Sequence, residues 1–386
     1  MSVIAHPPLS DCAPCAISHK FDPVAVKAAL TLTGADPLFV LACSQILPLL
    51  TPISWRSPLM TLLRFILSLA AASWLFAGAG AASERLLIVN KSGDSLAITD
   101  ARTYETLALA PTQHEPHEVA VSPDGRTAYV SDYGSSERRG NTVTVVDIAT
   151  GEVTATWDLG ANLAPHGIAV SQDGTRVWVT TEASQTVVEL DSASGDILTV
   201  WETGQEVSHM VTPSVDETRL FVTNLGSGSL TVIDRRDDAV TTIVTGAGAE
   251  GVDVTPDGRE VWVTNRAEHT ISVLDAQTLE ELAKFEAGGQ VPIRVKFTPD
   301  GARAFVSNAL SNSMTVFDAA SRELIHTIDV GALPVGILMS PDGARVFVAN
   351  TRDDKVSVFD AQTYELIDEI FPGREPDGMA WAVIAD

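Results

Sequence analysis

From Ser83 onward the chain has no cysteine; its three, Cys12, Cys15 and Cys43, all lie before that point. The main body therefore uses neither a disulfide nor a thiol, which suits an oxidising periplasm or the cell exterior. Basic charge is scarce too. Against 50 acids stand 25 Lys and Arg, a formal net charge of −25 over 386 residues. The only basic doublets, Arg138-Arg139 and Arg235-Arg236, are too sparse to form a patch for phosphate backbones or anionic lipid. Neither nucleic acid nor a membrane surface is expected as a partner. Also missing are a Walker phosphate loop, a dinucleotide glycine motif opening a helix, a Gly-x-Ser-x-Gly elbow and a Cys-x-x-Cys-His motif for covalent haem. Nucleotide chemistry and serine hydrolysis lose their usual sequence support. No segment of the main body carries a convincing 3.6 period, so helices are not expected.

The stretch before Ser83 is a different population, with only three acids, Asp11, Asp22 and Asp36. Met60-Thr-Leu-Leu-Arg64 opens the apolar run FILSLAAASWLFAGAGAA, which ends in an Ala-x-Ala pattern at Ala79-Gly80-Ala81. Residues 60–82 thus read as a secretory signal peptide, and residues 1–59 as an upstream extension from a misassigned start. Cys12-x-x-Cys15 resembles half of a redox or zinc motif but has no second pair. Beyond that leader no membrane segment is expected, and the protein is placed in the periplasm or outside the cell, as a monomer.

What the chain does have is a repeat. A tight turn recurs at Ser122-Pro-Asp-Gly125, Ser171-Gln-Asp-Gly174, Ser214-Val-Asp-Glu217, Thr255-Pro-Asp-Gly258, Thr298-Pro-Asp-Gly301 and Ser340-Pro-Asp-Gly343, at successive offsets of 49, 43, 41, 43 and 42. A period near 40 to 45 with four short strands per unit is a propeller signature. In the second unit the strands fall at 117–121, 127–131, 142–147 and 153–157. The ends supply one more unit, since 86–90, 95–100 and 106–109 match strands two to four and 376–383 matches a first strand. The expected fold is all-β: a seven-bladed β-propeller over residues 83–386, with four-stranded antiparallel blades, closed by one C-terminal and three N-terminal strands. Asp100, Asp147, Asp191, Asp234, Asp275, Asp318 and Asp360 recur after strand three and are assigned to turn capping.

The tetrapeptides Phe221-Val-Thr-Asn224 and Trp262-Val-Thr-Asn265, with variants at Leu87-Ile-Val-Asn90, Tyr129-Val-Ser-Asp132, Trp178-Val-Thr-Thr181, Phe305-Val-Ser-Asn308 and Phe347-Val-Ala-Asn350, resemble the YVTN propeller repeat family. The resemblance covers residues 83–386 and implies a secreted or periplasmic seven-bladed propeller. Similar repeats occur in proteins associated with pyrroloquinoline-quinone-dependent catabolism, in surface-layer proteins and in the haem-binding propeller of nitrite reductase. Lactonases and streptogramin lyase have a similar architecture. A fold this widely used leaves function to the site.

Aligning the blades on the tight turn brings Asp377, His117, His166, His209, Glu250, Ile293 and Val335 to one equivalent position. It is expected just before the regular innermost strand, at the channel mouth. Three of the six histidines after Ser83 stand there, on consecutive blades, with a carboxylate on each side. His117, His166, His209 and Glu250 are therefore candidate ligands for a divalent transition metal, and Glu250 is also a candidate general base. His114, Arg138, Arg139, Arg266, His269, Arg294 and Asp377 are candidate ligand-binding residues on the same face. Arg138 and Arg139 sit in a long loop, 133–141, after strand two of blade two.

Three functions fit these residues. The first is a binding propeller whose histidine-bearing face takes a small ligand, a metal or a periplasmic redox or transport partner, accessory to quinoprotein or electron-transfer metabolism. The second is a metal-dependent lyase or hydrolase, similar to lactonases or streptogramin lyase, with a three-histidine site. The third is a structural envelope protein.

Overall fold

Each repeat is set by its tight turn. In the first, the Ser122 hydroxyl donates to Asp124 Oδ1 at 2.5 Å, the Gly125 amide donates to the Ser122 carbonyl at 2.9 Å, and Gly125 takes φ +72°. Glycine suits that left-handed backbone because it lacks the Cβ that clashes there. Glu217 fills the equivalent place in blade four at φ +54°.

A computed structural model of the protein describes residues 83–384. The expected leader at 60–82, the expected extension at 1–59 and Cys12-x-x-Cys15 lie outside the described residues. Within them the chain forms seven four-stranded antiparallel sheets, as expected. Blade one consists of β1 (Ser83–Asn90), β2 (Ser95–Asp100) and β3 (Thr106–Pro111), with β28 (Pro376–Ile384) as its innermost strand. β28 pairs with β1 from Ser83 opposite Ile384 to Ile88 opposite Met379, which closes the ring. Blade two runs outward through β4 (Pro116–Val121), β5 (Thr127–Gly134), β6 (Arg139–Asp147) and β7 (Val153–Asp158). The other innermost strands are β8 (Pro165–Val170), β12 (Ser208–Pro213), β16 (Ala249–Val254), β20 (Pro292–Phe297) and β24 (Pro334–Met339). One expectation needs correction. Most of the 133–141 loop is strand, because β5 and β6 prolong their hairpin to a short turn at 135–138.

The core lies between blades. Val, Ile and aromatic side chains of the middle strands form one buried cluster at each of the seven blade interfaces. Trp178, Phe221, Trp262, Phe305 and Phe347, the aromatic members of the tetrapeptides, are fully buried in them. Removing each such side chain from water contributes about 2–3 kcal/mol. The strand-three aspartates cap their turns. Asp100 accepts from the amides of Arg102 and Thr103, and Asp275 from those of Gln277 and Thr278.

Asn at the fourth tetrapeptide position tethers strand three: Asn224 Nδ2 donates to Thr231 Oγ1 at 2.9 Å and Asn350 Nδ2 to Ser357 Oγ at 2.9 Å. Blade two has Asp132 there, accepting from the Thr142 and Thr144 hydroxyls and the Gln113 amide. Burial pushes its pKa up to about 6, against the hydrogen bonds that hold it down. A carboxyl whose folded pKa lies above its unfolded value stabilises fully below the unfolded pKa of 3.8, and that contribution is lost as pH rises through about 6. At pH 8 the folded state therefore carries a penalty of about 3 kcal/mol, from 1.36 kcal/mol per pKa unit. Asp132→Asn is expected to raise stability at pH 8 by up to that amount and to leave it unchanged at pH 3.5. Urea denaturation at the two pH values measures the difference; a destabilised variant at pH 8 would show that the carboxylate hydrogen bonds outweigh the burial.

Candidate functional site

A repeated backbone irregularity builds the site. The residue before each innermost strand is left-handed: Glu115, Ala164, Val207, Gly248, Val291, Leu333 and Glu375, with φ between +46° and +76°. The pairing then slips. In blade two Pro116 lies opposite Asp132 and Val119 opposite Val130, so His117 and Glu118 together face Ser131 alone. The same slip occurs in β8, β12, β16, β20 and β24. Such bulges re-aim side chains. The aligned residues are thus second in their strands rather than before them, and all seven line one cavity of about 600 Å³ at the channel mouth.

A bulge leaves peptide groups without ladder partners, and the Ser or Thr of the tetrapeptide takes them up. Thr180 Oγ1 accepts from the Gly167 amide at 2.8 Å and donates to the His209 carbonyl of the next blade at 2.6 Å. Ser131, Thr223, Thr264 and Ser307 make the same inter-blade link to the carbonyls of His166, Glu250, Ile293 and Val335. Blades seven and one have Ala349 and Val89 there and lack the hydroxyl.

The three imidazoles form a stack. His166 lies between His117, with ring centroids 4.6 Å apart, and His209, at 3.9 Å. The ring atoms that could bind a cation do not follow the aligned positions, however. His166, His209 and Glu182 each offer one ligand atom within 4.8 Å of the others, and all three are buried. Among the expected ligands, His117 stands outside this group, its Nδ1 3.2 Å from Asp377 Oδ2. Glu250 is also outside it, held by Arg266 Nη1 at 2.7 Å and 3.4 Å from His209 Nε2.

Charge states follow from these partners. Burial, then the neighbouring His209, His117, Arg294 and Lys91, holds the His166 pKa well below its ordinary value, so this ring is neutral and its buried Nδ1 has no hydrogen-bond partner. Burial disfavours charge on His209 as well, but Glu182, 2.5 Å from Nδ1, and Glu250 outweigh it and push its pKa up to about 9. Both carboxyls stay ionised: burial would raise them, and His209 holds them below their usual range. An ionised Glu250 with a lowered pKa is a weak base, so the arrangement favours it as an orienting group for His209 and Arg266.

Arg294 crosses the channel. From blade six its Nη2 donates to Glu118 Oε1 of blade two at 2.5 Å, closing the cavity floor. Its Nη1 is buried without a hydrogen bond, 3.9 Å from Glu250. Glu118, Glu182, Glu250 and Asp377 are buried beside Arg294 and His209, with Arg266 paired to Glu250, so these carboxylates are largely matched by cations.

The remaining expected residues are dispersed. Arg139 and Arg266 line the cavity. His114 and Arg138 instead line a separate notch of about 120 Å³, where His114 pairs with Asp94. His269 is outside the cavity wall and accepts the Val291 amide at 3.0 Å, a supporting role. A hollow of about 640 Å³ at the other strand ends, between blades four and five, is slightly larger than the mouth cavity. Its charges are paired among themselves, as in Arg219 with Asp234 and with the Ala276 and Gln277 carbonyls. It presents no buried unpaired donor, so the mouth is the better site.

Among the residues not singled out from the sequence are Glu182 and Tyr133. Tyr133 donates its hydroxyl to Glu182 Oε2 at 2.7 Å and packs on His117. Both directly follow the tetrapeptide. That fifth position is Lys91, Tyr133, Glu182, Leu225, Arg266 and Ala309 in blades one to six, and all six line the cavity. It forms a second ring, legible in the alignment once the tetrapeptide is extended by one position.

Comparisons with known proteins place the chain among two descriptions. Residues 164–345 match a YNCE-like beta-propeller family and residues 84–212 a 7-bladed beta-propeller lactonase family. His166, Glu182 and His209 fall where the two matches overlap. The chain is 26% identical over 224 residues to the uncharacterized protein YncE of Salmonella typhi, and the match spans 56% of this chain and 61% of that relative. The periplasmic gluconolactonase PpgL of Pseudomonas aeruginosa superposes with a TM-score of 0.65 at 21% identity, over 78% of this chain and 100% of PpgL. Kuenenia stuttgartiensis hydrazine synthase superposes with a TM-score of 0.62 at 21% identity, over 72% of this chain and 92% of its own. These likenesses show the fold alone, and proteins of different chemistry share it. No helix among the described residues is long and apolar enough to cross a membrane.

Proposed function

We propose that the protein is a periplasmic hydrolase that opens a small cyclic ester in the channel-mouth cavity, with a divalent transition metal held by His166, Glu182 and His209. The observation that carries this is the convergence of two imidazoles and one carboxylate within 4.8 Å, beside a cavity of ligand size. Two histidines and a glutamate are a known catalytic zinc set that leaves a position open. A bound cation of this kind would polarise the acyl oxygen and acidify water.

The chain's own groups have distinct tasks. His166 is ready as a neutral ligand, whereas His209, its pKa pushed up to about 9, must release a proton before it can bind the cation. Tyr133 orients Glu182 through its hydroxyl, and Glu250 and Arg266 steady the far side of His209. Lys91 and Arg139 at the cavity wall attract an anionic product or substrate. In the overall reaction water adds its hydroxyl to the acyl carbon, the ring C–O bond breaks, and the leaving oxygen takes the proton, giving a hydroxy acid. The lactonase match and the leader-like segment at 60–82 support the reading and its compartment.

The test uses protein expressed from Met60 without a histidine tag. Elemental analysis is expected to find close to one metal per chain, and proton release from glucono-δ-lactone or δ-valerolactone is expected to stop on chelation and return with metal. Metal without turnover would favour a binding propeller serving a periplasmic partner. No metal, even after reconstitution, would sink the hydrolase reading.

A further inference from the structure

The cavity wall has two natures. Blades one to five supply nearly all its polar groups, whereas blades six and seven present Val291, Ile293, Ala309, Leu310, Leu333 and Val335. This apolar sector is continuous with the metal cluster of blades three and four through the same cavity. It also faces the polar side of the ring, since Arg294 of blade six touches Glu118 of blade two across the channel.

Val291 sits at φ +58°, the left-handed backbone that precedes every innermost strand, and shares it with the β-branched Val207 of blade four. Backbone of this kind is unfavourable for such a residue and persists only where its surroundings hold it. The hold is His269, whose Nδ1 accepts the Val291 amide. At the rim Leu310 remains 61% exposed beside the part-buried Leu333 and Val335. A contiguous apolar face next to a polar cluster marks a ligand surface rather than scattered surface leucines.

We infer that the ligand is amphipathic: a polar ester or acid head over His166, Glu182 and His209, and an alkyl chain or apolar ring against the wall of blades six and seven. The head group rests on the hydrolase reading, but the wall can be tested without turnover. A fully hydroxylated sugar lactone would leave this wall unmatched, whereas an alkyl-substituted lactone would cover it.

The probes are hydroxy acids, titrated calorimetrically into the protein as purified: 5-hydroxydecanoate, 5-hydroxyhexanoate and gluconate. Four extra methylenes, each worth about fourfold when fully buried and less when half-buried, are expected to make the decanoate bind at least about 15-fold tighter than the hexanoate. Gluconate is expected to bind more weakly than the decanoate. In Leu310→Asn, and in Leu310→Asn with Val335→Asn, the decanoate-to-hexanoate ratio should fall below about fourfold. Leu310 is exposed, so the single variant keeps the test open if the double variant does not fold. Equal affinity for the two alkyl acids, tighter gluconate, or an unchanged ratio in the variants would overturn the inference. A chain-length dependence that persists in a protein without lactone turnover would uphold the wall and reject only the hydrolase.

Discussion

Glu182→Gln and Glu182→Ala are each expected to weaken metal binding by more than about 100-fold, whereas His117→Ala leaves it within about threefold. Losing even a group that merely orients a ligand costs metal affinity about 10–100-fold, so losing one of three ligands costs more. Position in the repeat would rank the residues the other way, because His117 is aligned with His166 and His209 and Glu182 is not. The geometry separates them: Glu182 shares the 4.8 Å group, and His117 is paired with Asp377. Glu182→Ala also leaves the buried His209 with one carboxylate fewer and could unfold the site, which is why the near-isosteric Gln variant is included. Competitive titration with a chromogenic chelator gives the affinities, and circular dichroism checks the fold. Equal losses in His117→Ala and Glu182→Gln would show that the aligned histidine is a ligand after all.

Gly167→Ala should destabilise the propeller by about 3 kcal/mol, at the upper end for an overpacked site. Its Cβ would stand 2.7 Å from the His209 carbonyl oxygen, 2.7 Å from Met210 Cα and 2.8 Å from the Val211 amide nitrogen. All three are backbone atoms, so no side chain can turn aside. Gly167 follows His166 in the bulge and abuts the strand that carries His209, so relief requires β8 and β12 to separate. The same substitution is therefore expected to lower metal affinity together with stability, although residue 167 offers no ligand. Thermal unfolding and metal titration on one preparation test the pair of effects. A variant as stable as the parent would mean that adjacent innermost strands can slide apart freely.

Much of the fold is legible in the sequence because its determinants are local and repeated. The Asp-Gly turn, the Val-rich alternation and the tetrapeptide each recur at a fixed offset, and together they place the seven blades and the closing strand to within a few positions. The aligned ring is legible for the same reason, and all seven of its members meet in one cavity. What escapes is the pairing within it. Glu182 lies on strand two's exit, beyond the whole hairpin that His166 opens, and only the bulge and the ring packing bring it against His209. Whether His117 turns toward Asp377 or toward a cation is settled by rotamers and neighbouring charge, which no spacing encodes. The hairpin of β5 and β6 reads as loop because Gly134 and Gly140 interrupt its alternation.

β28 has a consequence for the life history of the molecule. Every other strand described leaves the ribosome before it, yet it forms the inner edge of the first blade and carries Asp377, one of the seven residues at the mouth. A nascent chain can assemble blades two to seven in turn, but the ring stays open until its C-terminal segment arrives. A copy lacking β28 would have neither a locked ring nor a complete pocket.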